Sequence, residues 1–102
     1  MLQTLDTHCE FEALARGFLA KHPEIRHEWR PVPNFFSGGR TDLVCYPGEL
    51  HEVFASLTKS QITIGSGAGE TDFEDFGRGL NSAELAAEAF SRFTYLLSGS
   101  KA

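Results

Sequence analysis

Two stripes of apolar residues with helical spacing, one near each end of the chain, constrain its fold more than any other feature. In the first stripe the apolar side chains recur at i, i+3, i+4, i+7 and i+8, as Phe11, Leu14, Ala15, Phe18 and Leu19. The second stripe consists of Leu85, Ala86, Ala89, Phe90, Phe93, Leu96 and Leu97. This spacing places the members of each stripe on one side of an α-helix. Each helix must therefore bury one face, and the segment between the helices has to supply the surface that covers it.

Local signals mark the limits of the first helix. Thr7 and Glu10 have the spacing of a capping box, and Pro23 ends the helical segment because proline disfavours the α conformation in the residue before it. The helix is therefore predicted from about Thr7 to Lys21. Gly17 lies inside it at a cost of about 1 kcal/mol relative to alanine, and a close approach by another backbone would explain this glycine.

The second helix is predicted to begin at Asn81 or Ser82, both of which are favoured N-cap residues. Glu84 and Glu88 follow, where negative charge complements the N-terminal end of the helix dipole. The small residues 98–100 close it. Both stripes are interpreted as core faces that pack on a sheet.

Between the helices, the period of the apolar residues shifts towards two and turn residues become frequent, which is typical of short strands. Strands are predicted over residues 25–30, 41–46, 52–57 and 61–65. The third is ambiguous, because residues 49–57 also match a helical stripe, and the alternation favours a strand. In the first strand, Ile25, His27 and Trp29 are predicted to face inward, and Pro31 and Pro33 favour an edge position.

The predicted fold class is therefore α+β, with an antiparallel sheet of three to four short strands flanked by an N-terminal and a C-terminal helix packed on one face. The connections are too short for parallel crossovers. A chain of 102 residues has enough surface for one core, so residues 1–102 are predicted to form a single domain.

Charge and composition narrow the classes of function. The chain has 14 acidic and 9 basic residues, a net charge of -5, and no cluster of Lys and Arg, which disfavours nucleic-acid binding. No apolar run is long enough for a membrane span and no secretory signal is evident, so a cytoplasmic protein is predicted. The two cysteines, Cys9 and Cys45, are predicted to be buried, reduced thiols.

The most distinctive stretch is the glycine-flanked acidic segment over residues 65–79. Its glycines have neither dinucleotide-binding nor P-loop spacing, so no cofactor is predicted. Four carboxylates follow, from Glu70, Asp72, Glu74 and Asp75. They could be solvated, bind a cation, perform acid-base chemistry or attract a basic protein partner, and the EF-hand pattern that a calcium site would require is absent.

A second candidate surface combines aromatic and cationic residues. Phe35 and Phe36 are adjacent in a predicted loop, so one can face the core and the other solvent. With Trp29 and Arg40, an exposed phenylalanine would form a plausible hot spot for protein binding.

The sequence therefore predicts a non-enzymatic protein-interaction domain, with a small acidic bacterial immunity or inhibitor protein as its most specific form. The alternative is a small ligand-binding domain or enzyme whose carboxylate-lined site surrounds residues 65–79, together with His27 and His51. A third reading is a homodimer formed through a sheet edge or through the Phe35-Phe36 loop. No metal site, nucleic-acid contact or membrane contact is predicted.

Overall fold

The computed structural model describes residues 7–33, 39–49, 51–58, 61–66, 69–72 and 81–99, with the backbone alone at Thr7 and at residues 69–72. The elements follow one another as α1 (Thr7–Lys21), β1 (Arg26–Val32), β2 (Arg40–Tyr46), β3 (Val53–Leu57), β4 (Ile62–Ser66), β5 (Gly69–Asp72) and α2 (Ser82–Leu97). The predicted α+β class, with a helix at each end of an antiparallel sheet, is confirmed.

The sheet is an antiparallel meander in which each strand pairs with the next one in sequence, in the order β1-β2-β3-β4-β5. The third predicted strand is a strand, and its side chains alternate between buried and half-buried along Val53–Leu57. Strand β1 lies at an edge, as its prolines indicated, although it continues through Pro31 to Val32. An edge strand tolerates proline because one row of its backbone amides has no strand to bond to.

One face of the sheet, the inner face, packs against both helices. Its register places Leu43 opposite Ala55 and Ala55 opposite Ile64, and all three side chains are fully buried. The helices contribute Phe11 from α1 and Phe93 from α2, whose rings pack edge to face with centroids 5.5 Å apart. The core cluster also contains Ala15, Leu19, Ile25, Cys45, Val53, Leu57, Ile62, Ala86, Ala89 and Leu97.

Helix α2 begins with a complete capping box. The Asn81 side chain accepts a hydrogen bond from the Glu84 amide at 2.8 Å, and the Asn81 amide donates to the Glu84 carboxylate at 3.0 Å. The helix ends at Leu97, and Gly99 follows with φ of 74°, a left-handed conformation that glycine adopts without a steric penalty.

The structure differs from the sequence-based expectations in three places. A fifth strand, β5, occupies residues predicted to lie in a loop, because its short polar sequence carries no alternating apolar signal. Cys9 is exposed, whereas both cysteines were predicted to be buried. Gly17 is not approached closely by any described part of the chain beyond its own helix, because a Cβ atom added there would meet no other described atom within 4 Å.

Candidate functional site on the outer sheet face

The face of the sheet that points away from the helices, here called the outer face, is built by the alternation of side chains along β1 to β4. Register places Arg26 opposite Tyr46 and Glu28 opposite Val44 between β1 and β2. Between β2 and β3 it places Val44 opposite Phe54 and Asp42 opposite Ser56. Their strand neighbours, among them Leu43, Cys45, Val53 and Ala55, belong to the core cluster on the other side.

The centre of the outer face is apolar and aromatic. Val44 has only 9% of its surface exposed and yet is not part of the core cluster. Phe54, its cross-strand neighbour, is half-buried, as is Tyr46 two residues along β2. A strand face that only meets water normally carries polar residues at such positions. The outer face therefore has the composition of a surface that packs against other protein groups and not only against water.

Charged side chains surround this centre in fixed pairs. The Arg26 guanidinium lies 4.8 Å from the centroid of the Tyr46 ring, a cation-π contact. Arg30 Nη2 donates to Glu28 Oε1 at 3.0 Å. This hydrogen bond, together with the positive charge of Arg30, lowers the pKa of Glu28; the same hydrogen bond and the negative charge of Glu28 raise the pKa of Arg30. Both side chains therefore stay charged across the neutral pH range.

Asp42 connects the charged groups of β2 to β3. Arg40 Nη2 donates to Asp42 Oδ2 at 2.9 Å, and Ser56 Oγ donates to Asp42 Oδ1 at 3.0 Å. Because both carboxylate oxygens of Asp42 accept hydrogen bonds and the pair is only partly exposed, the Arg40 head group is held in place. The outer face consequently presents its charges in defined positions.

The predicted site residues lie in different places. Glu70 and Asp72 lie in β5, where their backbones pair with Gly65 and Thr63, in the same register rows as Phe54 and Ser56. Glu74, Asp75, Phe35 and Phe36 lie outside the described residues. The acidic segment and the Phe35-Phe36 loop therefore stay predictions as binding surfaces.

Trp29 and Arg40 do not form one hot spot, because they lie on opposite faces of the sheet. Trp29 pairs with Leu43 and belongs to the inner face, where the Arg16 guanidinium of α1 covers its ring at 4.1 Å. Arg40 is on the outer face and is paired with Asp42. Successive side chains of a strand point to opposite faces of the sheet, and residues paired across two strands share a face. Trp29 and Arg40 therefore point to opposite sides.

The other groups considered for chemistry are dispersed. His27 is exposed, and its Nδ1 lies 3.2 Å from the carbonyl oxygen of Ile25. His51 is half-buried beside Gly48. In the described part of the chain, no group of three or more His, Cys, Asp or Glu side chains could hold a metal ion. The carboxylate-lined alternative depends on Glu74 and Asp75 and stays a prediction.

Sequence reasoning missed the centre of the outer face. The available signal was the unbroken run Leu43-Val44-Cys45-Tyr46, in which both parities are apolar. Such a run indicates a strand with neither face fully solvated. The run predicts the strand over residues 41–46, and its apolar residues of both parities indicate that the second face of this strand also makes contacts.

Comparisons with models of protein families, with curated proteins and with solved structures gave no significant match to this chain. None of the described helices has the length and apolar composition needed to cross a membrane.

Proposed function

We propose that this protein is a non-enzymatic interaction domain that binds a protein partner through the outer face of its sheet. In its most specific form the proposal is an inhibitor or immunity protein, which neutralises its partner by covering a functional surface on it. The observation that carries the proposal is the apolar centre of Val44, Tyr46 and Phe54 within a rim of ordered charges.

This arrangement matches the anatomy of protein interfaces, in which an aromatic, water-excluding centre is surrounded by a polar rim. Tyr and Arg are enriched among the residues that contribute most to binding, and Tyr46 is in contact with Arg26. The paired side chains of the rim have already lost part of their rotamer freedom, so binding would cost less conformational entropy there.

Charge supports a partner with a basic surface beside an apolar one. The chain has a net charge of -5, and the described arginines of the outer face lie on β1 and β2, at one side of the sheet. The acidic residues Glu70 and Asp72 lie on β5, at the opposite edge. A basic patch on the partner would be steered to the β5 edge, which raises the association rate at low ionic strength.

Site-specific photo-cross-linking tests the proposal. A benzoylphenylalanine replaces Phe54 on the outer face in one variant, and in a control it replaces Tyr95, which is 41% exposed on α2. Both variants are irradiated in cells of the source organism. We expect an adduct with one other protein at position 54 and none with that protein at position 95. Equal adducts at both positions, or none at position 54, would overturn the proposal.

The purified partner then allows a test of mechanism. Tyr46→Ala should mainly increase the dissociation rate, by about tenfold or more, because it removes a contact at the centre. Asp72→Ala should mainly slow association and reduce its dependence on salt. Glu24→Ala, an exposed acid outside the sheet, serves as the matched control. If Asp72→Ala associates at the same rate as the control, β5 is not part of the interface.

A further inference from the structure

The solvent side of α1 is unusually poor in charge. Among the described side chains of this helix, the exposed ones are Cys9, Ala13, Leu14, Arg16, Gly17, Ala20 and Lys21, of which two are charged. Leu14 is 40% exposed. A helix face that meets only water normally carries mainly polar residues, so this face has the composition of one that is covered.

An apolar groove adjoins this face, between the N-terminal halves of α1 and α2. It has a volume of about 600 Å³ and is lined by Cys9, Glu10, Ala13, Leu14, Ala83, Ala86 and Ala87. Alanines form most of its wall, which leaves room for side chains from outside the chain. Glu84 and Glu88 of α2 are close in sequence to the alanines of this wall. Both are exposed, and they add negative charge.

Gly17 gives a second, separate indication. A glycine within a helix costs about 1 kcal/mol relative to alanine, and close packing of another backbone is a common reason for that cost. Apart from its chain neighbours and the backbone of its own helix, no described atom lies within 4 Å of the position that a Cβ of Gly17 would occupy. The described part of the chain outside this helix therefore leaves room for another backbone at Gly17.

We propose that the occupant of this surface is a second copy of the chain, whose α1 lies antiparallel to the first across a two-fold axis. With the axis between residues 15 and 16, Leu14 of each copy packs over Gly17 of the other. The same register places Glu10 of each copy beside Lys21 of the other. A two-fold interface is self-complementary, so each of these contacts occurs twice.

The charges of α1 favour this orientation. Glu10 lies towards its N-terminal end and Lys21 at its C-terminal end, and the structure shows no ion pair between either one and another described residue. Parallel copies would place like charges together, whereas antiparallel copies pair opposite charges. The basic end of the second α1 would also face the acidic rim of the groove.

The available area is adequate for a weak dimer. The 15 residues of α1 span about 22 Å, and two helices side by side are about 20 Å wide. A patch of this size, about 450 Å² per partner, is smaller than the roughly 600 Å² per partner that stable interfaces bury, and is typical of weak contacts. We expect a weak, reversible dimer. The helix layer and the outer face lie on opposite sides of the sheet, so dimerisation is independent of the proposed partner binding.

Zero-length cross-linking of the unaltered protein tests the register directly. Equal amounts of ¹⁴N- and ¹⁵N-labelled chain are mixed and treated with a carbodiimide, which joins carboxylates to amines only when they are in contact. Within one helix, Glu10 and Lys21 are about 16 Å apart, so a link between them has to connect two copies. We expect mixed-isotope Glu10-Lys21 peptides. If no such peptides form at protein concentrations above about 100 μM, the proposal is wrong.

Charge reversal gives a second test. Recovery of dimers when two variants are mixed could not result from local structural damage. Glu10→Lys and Lys21→Glu should each raise the dimer dissociation constant in sedimentation equilibrium by about tenfold or more. An equimolar mixture of the two variants should recover dimers within about threefold of the original affinity, because both pairs are then opposite in charge. Glu52→Lys, an exposed acid outside the helix layer, should leave the constant unchanged. A mixture that stays monomeric would refute this pairing.

Discussion

At the scale of single residues, the environment separates two chemically identical side chains. Cys45 is fully buried in the core, and burial raises the pKa of its thiol to about 12. Cys9 is exposed on α1, with its Sγ 3.6 Å from His8 Nε2. Because only the thiolate reacts, Cys45 would be about 10⁻⁴ ionised at pH 8 even if a reagent could reach it. We expect one thiol per chain to react rapidly with a disulfide reagent at pH 8, and the second only on unfolding.

Two variants make this thiol prediction specific. Cys9→Ser should abolish the rapid phase, whereas Cys45→Ala should retain it and lower stability, since it removes a buried side chain from the core. A rapid phase of two thiols in the native protein at pH 8 would contradict the burial of Cys45.

At the scale of elements, the capping box determines where α2 begins. The reciprocal hydrogen bonds between Asn81 and Glu84 satisfy backbone and side-chain groups that the first helical turn would otherwise leave to water. Asn81→Ala should lower the free energy of unfolding by about 1 kcal/mol, and Asn81→Asp by much less, because aspartate caps equally well. Urea denaturation measures both. No loss for Asn81→Ala would show that the cap does not stabilise this helix.

Local signals explain why the helices could be predicted from the sequence. The bounds of α1 follow from its stripe and from Pro23, and the N-cap of α2 from Asn81, all of which act over a few residues. Strand β5 could not be predicted in this way, because Gly69–Asp72 is paired through its neighbour β4 and its own sequence lacks alternation. A strand whose stability comes from its partner leaves little trace in its own residues.

Predicting the candidate site requires knowledge of how the strands pair, whereas the helices can be predicted from neighbouring residues. Tyr46 and Arg26 are 20 positions apart in the sequence numbering and meet only because β1 and β2 pair in one particular register. Trp29 and Arg40 are 11 positions apart, yet the same pairing places them on opposite faces. A shift of the strand register by one residue would move each side chain of the strand to the opposite face. The residues that form a surface are therefore known only when the register is known.

At the scale of the whole molecule, the two faces of the sheet should differ in what they contribute. Phe93 is fully buried between the helices and the inner face, so Phe93→Ala should lower the free energy of unfolding by about 3–5 kcal/mol. Phe54 is half-buried on the outer face and outside the core cluster, so Phe54→Ala should cost about 1–2 kcal/mol. Guanidinium denaturation of both variants gives this comparison.

The difference between these two losses tests whether the outer face belongs to the core or is available for binding. If Phe54→Ala is as damaging as Phe93→Ala, then Phe54 is required to hold the domain together, and its aromatic ring cannot be assigned to a partner. If its loss is small, the protein maintains an apolar centre that folding does not require. Keeping Val44, Tyr46 and Phe54 together on the outer face then has its explanation in the contact they make with another protein.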